Sequence, residues 1–166
     1  APSLLDPRID GGAEQVGGGG VETTALGEIR ATATLAAEAG DEGLQDLSGV
    51  DADDIDVKAS RIANADLTSL SLTDANLSHA ELHDIEAFKL RLSDANLTEA
   101  KLDNVGAAKL ELSDADLSEA RLKNVDLSRA TLDDAKLASA TLKNCDLAGA
   151  TLTDVSFARA IFEDVD

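Results

Sequence analysis

Aromatic residues are almost missing from this sequence of 166 residues, which has three Phe and no Trp, Tyr or Met. Hydrophobic residues still make up 43% of the chain, so any core must be built from Leu, Ile, Val and Ala. Cys145 is the single cysteine, which excludes an internal disulfide. We expect it to pack in the core, with a reactive thiol as the alternative.

Long apolar runs are missing as well. No stretch approaches the roughly 20 apolar residues that a membrane-spanning helix needs. The opening residues, APSLLDPRID, have neither a basic region nor a long apolar region. We therefore expect no membrane span and no signal peptide, and a location in the cytoplasm or in an assembly such as a virion.

Basic residues are scarce: 14 Lys and Arg stand against 33 Asp and Glu, which gives a net charge of −19 and a pI of about 4.2. This balance argues against direct nucleic-acid binding, because phosphate recognition needs a Lys/Arg surface. A basic protein surface, metal cations or very high salt fit the charge better. Abundant Asp and Ala with few Lys is similar to haloarchaeal proteins, which implies a halophilic setting.

What the sequence does contain is a repeat of five residues. From 45 to 164 it divides into 24 consecutive pentapeptides without an insertion. The third position is apolar in every unit and is mostly Leu, and the first is usually Ala. Neither the 3.6-residue period of an α-helix nor the two-residue period of a strand explains this spacing. A chain that turns a corner every five residues does, with the first and third positions pointing inward.

A second period of 20 residues lies on top of the first. Residues 85–104 and 105–124 align unit by unit, and Leu70, Leu90 and Leu110 recur at this spacing. A four-sided coil predicts both periods, because residues 20 apart then stack directly. Six coils fill 45–164, each rising about 4.8 Å, the spacing of neighbouring strands.

Units such as ANLTE, ADLSE and ADLTS resemble the A-(D/N)-L-x-x units of the pentapeptide-repeat family. The resemblance implies an all-β, right-handed quadrilateral β-helix with the third-position Leu at its centre. It also implies a comparison with those members that resemble duplex DNA in shape and charge and occupy type II topoisomerases.

Three segments follow from this division. Residues 1–22 hold both prolines and the four-glycine run 17–20, so we expect a flexible Gly-rich arm. Residues 23–44 are a capping segment, for which a short helix is favoured over a strand because both ends carry capping residues. The β-helix takes 45–166. The arm and the open ends of the coil are the expected sites of self-association or partner binding.

The four sides of the coil differ in charge. We number them from their first residues in the first coil: side one from 45, side two from 50, side three from 55 and side four from 60. Side two has ten acids against Arg91, a balance of −9, whereas side four balances to zero. Side two also has Asp at its fifth position in every coil, a set that we call the Asp column: Asp54, Asp74, Asp94, Asp114, Asp134 and Asp154.

Side four has Asn or Asp at the same place: Asn64, Asp84, Asn104, Asn124, Asn144 and Asp164. The fifth positions of sides one and three are mixed. We therefore expect the corners to alternate between two turn types, with Asp and Asn bonding nearby backbone N–H groups. The alternative is functional: the Asp column reads a partner, or binds cations, for which Asp74, Asp94, Asp114 and Asp134 are the weaker candidates.

Few other residues suggest chemistry. His79 and His83 fall on different sides of the coil, which argues against a metal site between them. Phe88 occupies an outward position, where it either covers the gap left by Ala87 or anchors a partner, and Ile161 is similarly exposed in the last coil. A straight solenoid lacks the concave pocket of an enzyme. We expect no catalytic activity and no cofactor.

The leading hypothesis is a structural or protein-interaction module in a larger assembly, such as a virion or the surface layer of a halophile. A DNA mimic that binds a type II topoisomerase such as gyrase is the alternative, and cation binding along the Asp column is a weaker one.

Overall fold

The computed structural model describes residues 45–46, 49 and 52–166. Within them the chain forms seven strands, β1 to β7: Gln45–Asp46, Arg61–Asp66, Glu81–Phe88, Lys101–Ala108, Arg121–Asp126, Thr141–Cys145 and Ile161–Val165. The predicted arm, 1–22, and the predicted capping segment, 23–44, lie outside the described residues. No helix in the described part of the chain has the length and apolar character to cross a bilayer.

All seven strands belong to one parallel sheet, in chain order, and every pairing joins residues 20 apart. Leu82, for example, pairs with Leu102, and Leu102 pairs with Leu122. Isolated bridges with the same offset line sides two and three, such as Ser71 with Arg91 and Asn76 with Asn96. The 20-residue period is thereby confirmed: the protein is an all-β, four-sided parallel solenoid, with about five turns in the described residues.

The interior is a filled column of aliphatic side chains. Between residues 52 and 145, the side chains at the first and third positions form one continuous buried cluster. Leu67, Leu97 and Leu137, each at a third position, have no exposed surface. Cys145 occupies a first position and is 3% exposed, which confirms that it packs in the core. Its burial raises the pKa of the thiol, against weaker opposing hydrogen bonds from the backbone.

All corners share a residue with positive φ. Each fifth position, from Gly49 to Asp164, has φ between 52° and 73°. Residues other than Gly rarely adopt this left-handed region, and Asn and Asp do so more readily than most. Here Lys89 (φ 60°), Glu99 (φ 58°) and Arg129 (φ 57°) adopt it as well. The corner φ therefore does not depend on the side chain and does not separate two turn types. The corners differ in another way: the strands of side four, such as Arg121–Asp126, continue through their corner, whereas the corner of side two is a turn in which the Ala75 N–H donates to the Leu72 carbonyl at 3.2 Å.

The corners also differ in where Asp and Asn stand. On sides one and three the acceptor is the second-position residue, as where Asp66 Oδ1 accepts the Thr68 N–H at 2.9 Å and Asp116 Oδ1 accepts the Ser118 N–H at 2.9 Å. On sides two and four, Asp or Asn occupies the left-handed position itself. The prediction placed the backbone hydrogen bonds at the fifth-position residues. In the described residues, second-position side chains make them on sides one and three, and the fourth-position residues Asp53 and Asp133 make them on side two.

Burial decreases in the last coil. Leu142 is fully buried, but Leu152 is 40% and Phe162 is 47% exposed, although both stand at third positions. The rings of Phe157 and Phe162 meet edge to face, with 5.2 Å between their centroids. The third-position side chains of the last coil therefore follow the same inward pattern, but no further coil in the described residues covers them.

We predict that truncating a central third-position residue destabilises the protein far more than the same change in the last coil. Leu97→Ala should lower the free energy of unfolding by about 2–5 kcal/mol, because it leaves a cavity that the neighbouring coils cannot close. Leu152→Ala should cost clearly less, since that side chain is already 40% exposed. Denaturant-induced unfolding of both variants measures this, and equal losses would contradict the layered core.

Candidate interaction surfaces

The distinctive side chains of this protein lie on its outer faces, because the interior is filled. The described part of the chain contains no group of three or more His, Cys, Asp or Glu side chains that could hold a metal ion. Cation binding along Asp74, Asp94, Asp114 and Asp134 stays a prediction.

The Asp column runs along the corner that ends side two. All six of its side chains are exposed. Within residues 52–166, the carboxylates from Asp74 to Asp154 form neither a hydrogen bond nor an ion pair. The pKa of Asp74 is raised, first by loss of hydration and then by the neighbouring carboxylates of Asp94, Asp54 and Asp53. The column is thus a line of like charges without local compensation.

Side four carries five carboxylates, and three of them pair with a Lys in a neighbouring coil. Lys101 Nζ lies 2.7 Å from Glu81 Oε1, and Lys143 Nζ lies 2.5 Å from Glu163 Oε1. The hydrogen bond from Lys101, with its positive charge, lowers the pKa of Glu81, and the bond to Glu163 raises the pKa of Lys143. Side four is therefore internally neutralised.

The Asn and Asp residues at the corner of side four also bond along the stack. Asn144 Nδ2 donates to Asn124 Oδ1 at 3.1 Å, and Asn104 Nδ2 donates to Asp84 Oδ1. Asn124 Nδ2 donates to Asp103 Oδ1 at 3.1 Å. Stacked amides of this kind stabilise repeated strands, so this corner has a structural role that the Asp column does not share.

A second charged column was missed by the sequence reasoning. Lys89, Lys109 and Arg129 stand at the fifth position of side one in consecutive coils, and we call them the basic column. All three are exposed, and none forms an ion pair within the described residues. They line an open groove together with Ser69, Arg91, Glu111 and Thr131. Their 20-residue spacing was a sufficient signal in the sequence, but adding up charges over whole sides concealed it.

Phe88 lies beside the basic column and is 43% exposed. The ammonium groups of Lys89 and Lys109 lie 5.6 Å and 5.3 Å from the centre of its ring. Cations at this distance are attracted by the negative face of an aromatic ring. The ring therefore helps to hold two like charges in adjacent coils, and its role as a partner anchor stays a prediction.

The two histidines lie apart and each has its own acidic neighbour. His79 Nδ1 is 3.6 Å from Glu99 Oε2, and His83 Nε2 is 2.9 Å from Asp84 Oδ2. Both rings are roughly half exposed, at 47% and 43% of their side-chain surface. The structure does not bring them together.

The last coil presents an apolar surface. Ile161 is 58% exposed, and Leu152 and Phe162 are the other large hydrophobic side chains exposed there. Ile161 points outward from side four, where the preceding coils carry Arg121 and Thr141 in the same column. The predicted role of Ile161 in interaction stays a prediction.

Comparison with known proteins agrees with this geometry. The family model described as pentapeptide repeats matches residues 111–147 and 132–166, in 8 copies. No curated protein matches the chain. The resemblance read from the sequence is thereby confirmed: residues 111–166 match pentapeptide repeats, and the same five-residue unit is unbroken through residues 52–166.

Several solved structures are similar to this chain. Rfr23, a pentapeptide-repeat protein from the cyanobacterium Cyanothece 51142, is 19% identical, with a TM-score of 0.33 over 80% of this chain and 95% of its own. A trypsin-treated variant of QnrB1, a plasmid-mediated fluoroquinolone resistance protein, is 15% identical, with a TM-score of 0.48 over 74% and 82%. A pentapeptide-repeat protein from the Arabidopsis thaliana thylakoid lumen is 26% identical, with a TM-score of 0.33 over 68% of each chain.

The two faces should respond to pH in opposite directions. Because the folded-state pKa of Asp74 is raised, the native state binds more protons than the unfolded chain, and its contribution to stability is lost as pH rises through the folded pKa. The folded-state pKa of Glu81 is lowered, so its contribution is present above the unfolded pKa and is lost as pH falls.

We predict that Asp74→Asn raises the melting temperature at neutral pH and low salt, by on the order of 1 °C, because it removes one charge from a repelling line. The gain should shrink in about 1 M NaCl, where the screening length falls to about 3 Å. Differential scanning calorimetry at both salt concentrations measures this.

The matched control is Asp103→Asn on side four. Asp103 accepts hydrogen bonds from Lys123 Nζ at 3.4 Å and Asn124 Nδ2 at 3.1 Å, so its replacement should lower the melting temperature. An increase for Asp74→Asn that is the same at both salt concentrations would point to backbone preference instead of charge, since Asn adopts the left-handed region readily.

Proposed function

We propose that this protein is a non-catalytic structural and protein-interaction module that docks on a basic protein surface through the Asp column, as part of a larger assembly. The single observation that carries the proposal is the contrast between the two faces. On side four, Glu81, Asp103 and Glu163 have Lys partners in the neighbouring coil, whereas the Asp column from Asp74 to Asp154 has no partner within residues 52–166.

The energetic argument rests on repulsion along the column. Two unit charges about 5 Å apart repel by about 0.8 kcal/mol in bulk water, and by more beside a low-dielectric surface. Lys or Arg groups of a partner would remove this repulsion and add steered association. High salt would relieve it in part, which is compatible with a halophilic setting.

The shape of the module in residues 52–166 supports a non-catalytic role. The first- and third-position side chains fill the interior, and the grooves that remain are open surface features between coils. An enzyme needs a concave site with convergent polar groups. The histidines, which would be the usual proton-transfer groups, each sit beside a carboxylate on a separate corner.

Carbodiimide coupling tests the docking surface directly, because it joins a carboxylate to a lysine amine only when the two are in contact. The protein is cross-linked in extract from its source organism, and the products are mapped by mass spectrometry. We expect intermolecular cross-links at Asp94, Asp114 and Asp134. The matched control is a variant with Asn at these three positions, which keeps the corner backbone and should lose the cross-linked product.

Cross-links that fall only on side four, or that persist in the Asn variant, would exclude the Asp column as the docking surface. Size-exclusion chromatography of the same extract tests the assembly: we expect the protein to elute well above its own mass of 17.1 kDa.

A type II topoisomerase is a second candidate partner, because the Asp column presents regularly spaced exposed carboxylates along one edge of a straight rod. A gyrase supercoiling assay tests it. Inhibition or protection at micromolar protein, abolished by the triple Asn variant, would support the DNA-mimic function. An unchanged supercoiling rate would leave other basic proteins as the partners.

A further inference from the structure

Side two is bordered by two columns of opposite charge. The basic column, Lys89, Lys109 and Arg129, stands at the corner where the side begins. The Asp column stands at the corner where it ends, five residues later in the chain. Of the twelve outward positions between them, seven hold Ser or Thr, and the other five are charged: Asp51, Asp53, Arg91, Glu111 and Asp133. Arg91 Nε lies 3.8 Å from Glu111 Oε2, and Asp53 and Asp133 accept the backbone N–H groups of Thr73 and Thr153 at 3.0 and 3.1 Å.

The two columns have the same spacing. In both columns the charged residues are 20 positions apart, which is the offset at which the strands and bridges pair. Successive charges in a column are therefore one coil apart, about 4.8 Å. A basic surface that matches the Asp column in spacing and direction is therefore present in the protein itself. It cannot reach the Asp column of its own chain, because the width of side two separates the two corners.

We propose that the basic surface bound by the Asp column is the basic column of a second copy of this chain. This inference rests on the proposed function and names the partner. Two copies meet through side two, with their stack axes parallel and a two-fold axis running along the stack. That rotation exchanges the left and right edges of the face, so each Asp column meets the other copy's basic column.

The symmetry selects one arrangement. If the two stack axes were antiparallel, the two-fold axis would lie across the face and each edge would meet its own kind, placing carboxylates against carboxylates. In the parallel arrangement, Lys89 faces Asp94 of the second copy, Lys109 faces Asp114 and Arg129 faces Asp134. Each pair occurs twice because the interface is isologous.

A second copy satisfies both columns at once. An acidic peptide would neutralise the basic column but leave the Asp column uncompensated, and a basic peptide would do the reverse. Arg91 and Glu111, which lie between the columns, pair with each other at 3.8 Å and so add little net charge to the face. The net charge of −19 on each copy opposes association at long range, so the dimer should form best near 0.15 M salt, where repulsion beyond about 8 Å is screened.

Two charge-reversed variants test the arrangement. The first carries Lys89→Glu, Lys109→Glu and Arg129→Glu, so that both edges of side two are acidic. The second carries Asp94→Lys, Asp114→Lys and Asp134→Lys, so that both edges are basic. Both should keep the corner backbone, because Glu99 and Glu119 (φ 58° and 62°) and Lys89 and Lys109 (φ 60° and 61°) already adopt the left-handed conformation at fifth positions. Circular dichroism verifies folding.

Sedimentation equilibrium in 0.15 M NaCl at up to about 100 μM protein measures the dimer dissociation constant. We expect the wild type to dimerise and each variant alone to dissociate at least about tenfold more readily, since the pairs turn from attractive to repulsive. An equimolar mixture of the two variants should form a 1:1 heterodimer, because both of their edges are complementary.

Net charge alone cannot produce this pattern. The second variant carries −13 instead of −19, since each of three reversals adds two charges, yet it is expected to lose self-association. The matched control reverses Glu99 and Glu119 on side three, which should leave the dissociation constant within about twofold of wild type.

A wild type that stays monomeric at these concentrations overturns the inference, as does a dimer that persists in both reversed variants. So does a mixture of the two variants that forms no heterodimer. None of these outcomes removes the proposed function, because carbodiimide cross-links from the Asp column to a different basic protein would still support docking on another partner.

Discussion

The left-handed corner is the constraint on which the rest of this structure depends. A residue with φ near +60° at every fifth position turns the chain after each pentapeptide, so that four units close one coil. The conformation is unfavourable by about 1–2 kcal/mol for most L-residues. It persists because third-position carbonyls and amides bond across the corner and to the next coil, as where the Leu72 N–H donates to the Arg91 carbonyl at 2.9 Å.

Regular corners turn a sequence period into columns. Any residue type that recurs at 20 positions is stacked at the distance of neighbouring strands, whether or not the contact is favourable. On side four the columns alternate in sign and neutralise each other, as with Glu81 and Lys101. On side two only Arg91 and Glu111 pair in this way within the described residues, whereas the Asp column and the basic column at its borders each repeat one sign. The same backbone therefore brings opposite charges together on one face and leaves two columns of like charge uncompensated at the borders of another.

The sequence predicts those structural features of this protein that repeat at a fixed spacing along the chain. The period of five, the inward first and third positions and the 20-residue register were all readable, because each depends only on spacing, and Cys145 was correctly placed in the core. The residues that accept the turn hydrogen bonds were not, because Asp66 and Asp116 stand three residues before the fifth position that the corner pattern emphasises. The basic column was readable as well, but only by following single positions from coil to coil.

The sequence by itself determined the solenoid, its core and the charge of each side, because an uninterrupted repeat leaves one way to bury every third-position residue. The tertiary structure decided which charges are compensated, because pairing depends on side-chain reach across a corner and between coils. Lys101 and Lys143 reach acids in adjacent coils, whereas Lys89 and Lys109 lie over the Phe88 ring and leave their charge outward. Only the folded coil places that uncompensated basic edge and the Asp column on opposite borders of one flat face.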